Sequence, residues 1–148
     1  MNKLFTLFLF VCATGFATDP YKRNEAIDVQ QYLFQLEVND STDRISGVAQ
    51  VTIRFKKTIT SFDLDLVNKN AQGLGMTVSA VTLNGKPLSF RHQNDRLTIQ
   101  LATASTVNEQ LTFEIRYAGI PLDGFIIGKN KFGDRGFFTS YRPARKGD

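Results

Sequence analysis

The chain has one cysteine, one histidine and no tryptophan in 148 residues. A catalytic zinc site takes three protein ligands, with His and Cys predominant among them, so His92 and Cys12 cannot furnish one. A lone Cys12 also rules out a disulfide framework within the chain. With no tryptophan, and with most aromatics being Phe at alternating positions, an exposed stacking platform for sugars is not expected. Neither sign of charge dominates: 18 Lys and Arg against 14 Asp and Glu give a formal +4 that is spread along the chain. Nucleic acid is therefore not an expected partner, because such proteins gather Lys and Arg on one face or helix. Beyond residue 17 no apolar run is long enough for a transmembrane helix.

The N-terminus reads differently. Met1, Asn2 and Lys3 lead into a run from Leu4 to Val11 that is apolar apart from Thr6, followed by the small residues Ala13, Gly15 and Ala17. This is the layout of a secretory signal peptide, 1–17, with cleavage expected after Ala17. The expected location is outside the cytoplasm: periplasmic, cell-envelope or secreted. Bulky Leu9, Phe10 and Val11 ahead of Cys12 speak against lipoprotein processing. Removing 17 residues from 148 leaves 131, the size of one ordinary domain. Cys12 leaves with the signal, and the loss of Lys3 takes the charge from +4 to +3.

Period-two alternation then runs through the chain. Tyr32, Phe34, Leu36 and Val38 alternate with Leu33, Gln35 and Glu37, which predicts a strand with one buried face. A polar turn from Asn39 to Asp43 joins it to Ala49, Val51, Ile53 and Phe55, a second strand in an antiparallel hairpin. Phe62, Leu64 and Leu66 make a third strand, and Val78, Val81 and Leu83 a fourth that ends at Asn84 and Gly85, a pair suited to a tight hairpin turn. The chain returns through Leu88 and Phe90, turns at Asn94 and Asp95, and continues through Leu97, Ile99 and Leu101 to Leu111, Phe113, Ile115 and Tyr117. At least seven short strands with no helical period predict an all-β fold, an antiparallel β-sandwich or saddle-shaped sheet pair. Its core spans 18–117. The glycine-interrupted segment 118–148 reads as a loop-rich extension.

The candidate chemistry is sparse. His92, beside the Asn94 turn, is read as a polar residue near a hairpin end rather than a ligand or base. A triad of Ser89, His92 and Asp95 is disfavoured because alternation sends Ser89 and His92 to opposite faces. Asp63 and Asp65 share a strand face, which a glycosidase pair could use, but they are the polar half of an alternating strand. Gly73 and Gly75 lack the third glycine and the helix of a dinucleotide loop. Asn39, Asp40 and Ser41 form a glycosylation acceptor on a turn. No residue is assigned a catalytic or metal-binding role.

One segment carries a family likeness. Tyr117, Ala118, Gly119, Ile120, Pro121, Leu122, Asp123, Gly124 and Phe125 resemble a Tyr-x-Gly-x-Pro-x-Asp-Gly-Leu motif, and Gly133 to Phe138 a Gly-x-Arg-x-Phe-Phe motif. Both are similar to motifs of the aminopeptidase N family of zinc metallopeptidases, which includes leukotriene hydrolase. Upstream, Asp28, Tyr32, Leu36, Ser46, Gly47, Val51, the run Phe62 to Leu66, Asn84 and Gly85, and Asn94 to Leu97 with Ile99 follow the same family's strand order. The resemblance covers nearly all of the chain after residue 17. The motif residues it marks as structural are Tyr117, Gly119, Pro121, Asp123, Gly124, Arg135, Phe137 and Phe138. Gly119, Pro121 and Gly124 are expected to turn the chain off the last strand, with Asp123 hydrogen-bonding nearby amides.

The likeness has an end. Where the family continues with Asn-Trp-Pro-x-Arg-Ala, this chain has Tyr141, Arg142, Pro143, Ala144, Arg145 and Lys146, so Pro143 and Arg145 match while the aromatic does not. The family's Gly-x-Met-Glu-Asn and H-E-x-x-H motifs are absent from the sequence. The resemblance implies a non-catalytic N-terminal domain, a fragment of an exported zinc aminopeptidase, without cofactor of its own. Its partner would be the missing catalytic domain, which would carry the zinc, with peptide substrate as a further partner. An apolar patch near Phe125, Ile126, Phe137 and Phe138 is expected where that partner would sit. The alternative reading is a free-standing exported binding module for peptide, glycan or protein.

Overall fold

The computed structural model describes residues 24–139. The signal segment 1–17 and the motif remnant Tyr141 to Lys146 lie outside them. Alternation becomes strand in most stretches, with Val38, Leu66, Leu88 and Leu101 falling just outside: β1 (Ile27–Glu37), β2 (Ile45–Phe55), β3 (Ser61–Asp65), β4 (Gly75–Leu83), β5 (Lys86–Pro87), β6 (Phe90–Gln93), β7 (Arg96–Gln100), β8 (Gln110–Ile120), β9 (Phe125–Lys129) and β10 (Arg135–Thr139). The fold is all-β. Every paired strand is antiparallel, in three sheets ordered β1-β2-β8-β4-β5, β3-β7-β6 and β10-β9.

The two larger sheets stack to enclose the core. From the first come Val51, Ile53, Phe55, Val78, Val81, Phe113 and Ile115; from the second come Phe62, Leu97 and Ile99. Phe113 lies 5.0 Å from Phe62 and 6.4 Å from Phe55, ring centre to ring centre, so three Phe rings close the middle of the sandwich. The chain changes layer once within a hairpin return. β5 pairs with β4 in the first sheet, Leu88 donates its amide back to Val81, and β6 then pairs with β7 in the second.

Two bulges set which residues face inward. The register of β1 on β2 slips between Val29 and Gln31, and that of β4 on β8 between Val78 and Ala80. Gln30 and Ser79 are the extra residues. An unpaired residue resets the two-residue period, which is why Val78 and Val81, three apart, both point into the core.

The layers are unequal. At about 3.4 Å per residue, the 11 residues of β1, β2 and β8 extend about 37 Å, whereas the 5 of β3 and β7 extend about 17 Å. The second sheet therefore covers the half of the first that carries Phe55 and Phe113 and leaves the other half open. Here the expectation of a buried face on β1 needs correction. Tyr32, Phe34 and Leu36 do share the inward side, opposite Val51, Ala49 and Gly47. Yet Tyr32 is 51% and Phe34 56% exposed, because they line an open groove rather than the closed core.

The segment read as loop-rich also differs. β8 continues through Ile120, and β9 and β10 form a hairpin in which Gly136 pairs directly with Gly128. A glycine pair leaves a strand no alternating side chains to read, so the hairpin was hidden in the composition.

Candidate functional site

The motif residues sit where β8 leaves the sandwich, at the open end of the layers. Tyr117 is the first. Its partner on β2 is Gly47, and a Cβ on Gly47 would lie 2.8 Å from the Tyr117 ring. The glycine therefore makes the bed on which the ring lies, and the burial that results raises the phenol above its ordinary value of 10.0.

Gly119 does something other than turn the chain. It stays in β8 opposite Met76, and a Cβ there would fall 2.0 Å from the Gly75 carbonyl oxygen and 2.9 Å from the Met76 Cα. Its role is close backbone approach. Gly75 is equally confined, since a Cβ on it would meet the Asn68 carbonyl oxygen at 2.3 Å, and its φ of 105° is in the range that favours glycine. The turn itself falls after Ile120. There Gly124 adopts φ 79° and donates its amide to Asp123 Oδ1 at 2.7 Å, as expected for Asp123.

The hairpin that follows is held to the rest of the chain by charge. Arg135 Nη2 donates to Asp43 Oδ1 in the turn between β1 and β2, a partnership across 92 residues that the sequence reading did not anticipate. Asp43 carries no local pattern that would have marked it. On one face of the hairpin Phe125 and Phe137 stack at 6.3 Å. On the other, Ile126 and Phe138 are direct partners, 46% and 50% exposed. The expected apolar patch is thus present on the β9–β10 hairpin.

Three motif residues, Tyr117, Pro121 and Asp123, meet Tyr32, Phe34, Leu36 and Phe125 around an open groove of about 380 Å³ between the layers. Gly119, Gly124, Arg135, Phe137 and Phe138 are not among its lining residues. Its lining is apolar except for Asp65 and Asp123 and the Tyr hydroxyls, so it can hold an apolar surface.

The residues weighed for chemistry make hydrogen bonds and ion pairs within the fold. His92 Nε2 bonds the Leu66 carbonyl oxygen at 2.8 Å. Asp95 accepts the Asn68 amide at 2.9 Å and gives its own amide to Asn68 Oδ1 at 2.7 Å. Ser89, His92 and Asp95 therefore make no triad. Asp63 accepts from Thr98 Oγ1 at 2.6 Å and faces Arg96 at 3.7 Å, with Asp65 on the same Arg96 at 4.0 Å. Asn39 Oδ1 caps the Ser41 and Thr42 amides at 3.1 and 3.0 Å. Among the described residues no three His, Cys, Asp or Glu side chains converge as metal ligands. Sequence reasoning missed Ser105, a buried hydroxyl that accepts the Ile59 amide at 3.1 Å and reaches the Lys57 carbonyl oxygen at 3.2 Å.

Comparison with solved structures bears on this arrangement. An M1 zinc metallopeptidase from Deinococcus radiodurans superposes with a TM-score of 0.57 and 25% identity over 67% of this chain. The chain shares its fold with part of an M1 zinc metallopeptidase. A point mutant of the Deinococcus radiodurans enzyme bound to a Tyr-Ser-Ala substrate matches at 26% identity and TM-score 0.56 over 66% of this chain. A two-domain M1 zinc metallopeptidase mutant bound to L-arginine matches over 80% of this chain at 22% identity and TM-score 0.57. The chain spans about a fifth to a quarter of these M1 structures, 21% to 25% of their length. No family model and no curated protein matches it.

Proposed function

We propose that the chain is the non-catalytic N-terminal β domain of an exported zinc aminopeptidase. It packs on the zinc domain and helps to close one side of the peptide-substrate cleft. Residues 1–17 direct its export, 18–117 with the end of β8 build the sandwich, and the segment from 118 leads toward the catalytic part. Zinc and the catalytic groups belong to that part, and the motif residues act here as scaffold.

The observation that carries this reading is the bare hairpin. Ile126 and Phe138 stand half exposed side by side, and the open groove begins where β8 ends. Apolar surface of this kind marks a protein contact. The M1 likeness supplies the kind of partner, since the matched part makes up only 21% to 25% of those proteins.

Two measurements test it. Purified chain, with and without added zinc, is expected to release no amino acid from peptides; zinc-dependent turnover would overturn the reading. The DNA following the coding segment is expected to encode H-E-x-x-H, in frame or after a frameshift. An unrelated gene after a clean stop would instead favour the free-standing binding module.

A further inference from the structure

The edges of the two main sheets are treated unequally. The far edge of the first is β5, two residues long and made of Lys86 and Pro87. Short length, a lysine and a proline are each devices that prevent edge-to-edge pairing. The outer strands of the second sheet are 5 and 4 residues long and carry Asp63, Asp65 and Arg91. β1 has none of this protection after its bulge. From Gln31 to Glu37 it runs in unbroken register on β2, contains no Lys, Arg or Pro, and exposes Tyr32, Leu33, Phe34 and Leu36. Among the described residues no strand pairs with its outer side.

We propose that the β1 edge is a pairing surface for a second copy of this chain, joined antiparallel about a two-fold axis at Phe34. In that register Phe34 faces Phe34 of the second copy, Tyr32 faces Leu36, Leu33 faces Gln35 and Gln31 faces Glu37. Even-numbered residues meet on the inward side and odd-numbered residues on the outer side, so two apolar strips become one across the joint. Glu37, the only charged residue of the stretch, meets an uncharged Gln31. No like charges oppose each other, which an antiparallel pair requires. The product is a continuous ten-stranded sheet.

Area sets the strength. A large side chain that is half exposed leaves roughly 100 Å² open, so four on each copy set a ceiling of about 800 Å², of which an edge-to-edge joint covers only the flanks, well short of the ~1,200 Å² at which standard interfaces begin. Backbone bonds along the seven-residue edge add to this. The dimer is therefore a weak one, formed reversibly at micromolar concentrations.

Sedimentation velocity of the exported chain from about 1 to about 300 µM spans the dissociation constants expected for such a contact. Wild type is expected to pass from monomer to dimer. Phe34→Lys, at a half-exposed position, opposes two ammonium groups at the axis and is expected to weaken the dimer at least about tenfold. In the exported chain, free of Cys12, mild oxidation is expected to cross-link Phe34→Cys to itself and to leave Phe138→Cys monomeric. Should Phe34→Lys fail to fold, the cross-linking pair decides. A monomer throughout the range, a dimer indifferent to Phe34→Lys, or cross-linking at position 138 in preference to 34 would each overturn the proposal.

Discussion

Gly119→Ala tests whether this motif glycine exists for close approach or for turning. The methyl group would sit 2.0 Å from the Gly75 carbonyl oxygen, whereas ordinary contact begins at 3.4 Å. β4 and β8 must therefore part by the difference, about 1.4 Å, which stretches a ladder bond of ~2.9 Å beyond bonding range. One or two such bonds lost at roughly 0.5–1.5 kcal/mol each, together with overpacking strain of about 1–3 kcal/mol, give a cost of about 1.5–6 kcal/mol. That is a large share of the ~5–15 kcal/mol typical of a domain. In urea unfolding followed by circular dichroism, with a slope near ~2 kcal/mol/M, the midpoint is expected to fall by about 0.75–3 M. Gly128→Ala is the control: nothing lies within 4 Å of its Cβ position and its φ is not positive, so it is expected to stay within about 0.5 kcal/mol of wild type. Equal midpoints for wild type and Gly119→Ala, or an equal loss in both variants, would refute the close-approach reasoning.

Ser105→Ala leaves the Ile59 amide without its acceptor and is expected to cost about 1–3 kcal/mol, read from the same urea curves. Tyr117→Phe probes the raised phenol. Burial favours the protonated form in the folded state, so the contribution of Tyr117 is fully present below 10.0 and is lost as pH rises through the higher folded value. The stability difference between wild type and Tyr117→Phe is expected to be flat below pH 10.0 and to move against wild type above it, and a difference flat over the whole range would contradict the burial of the ring.

Where side chains alternate, the fold was legible. Ala49 to Phe55 and Leu97 to Ile99 read directly as strands because one face of each meets the core. Asn84 and Gly85 read as a hairpin turn, and both take positive φ, 51° and 75°. Less could be read where the outcome rests on a distant partner. Tyr32 and Phe34 alternate as a buried strand does, yet their burial depends on the length of a different sheet. Gly119 looks like turn chemistry in sequence, and only the proximity of Gly75 gives its actual task. Ser105, in a stretch of Thr, Ala and Ser, carries no periodic signal, since its hydroxyl answers two backbone groups more than forty residues away. Of the site, the motif residues from Tyr117 to Gly124 were visible as a group, but the Arg135 to Asp43 tie was not.

The position of β8 has a consequence for the order of assembly. It is the last strand of the sandwich to be synthesised, yet it lies between β2 and β4, and Thr52 and Thr112 that touch across it are 60 residues apart. Loop closure over that span must precede the contacts that reward it, which slows folding. Until about residue 120 has emerged, the nascent polypeptide holds a β1–β2 hairpin and a detached β4 with nothing to join them. Such a chain cannot close its larger sheet before that strand is made.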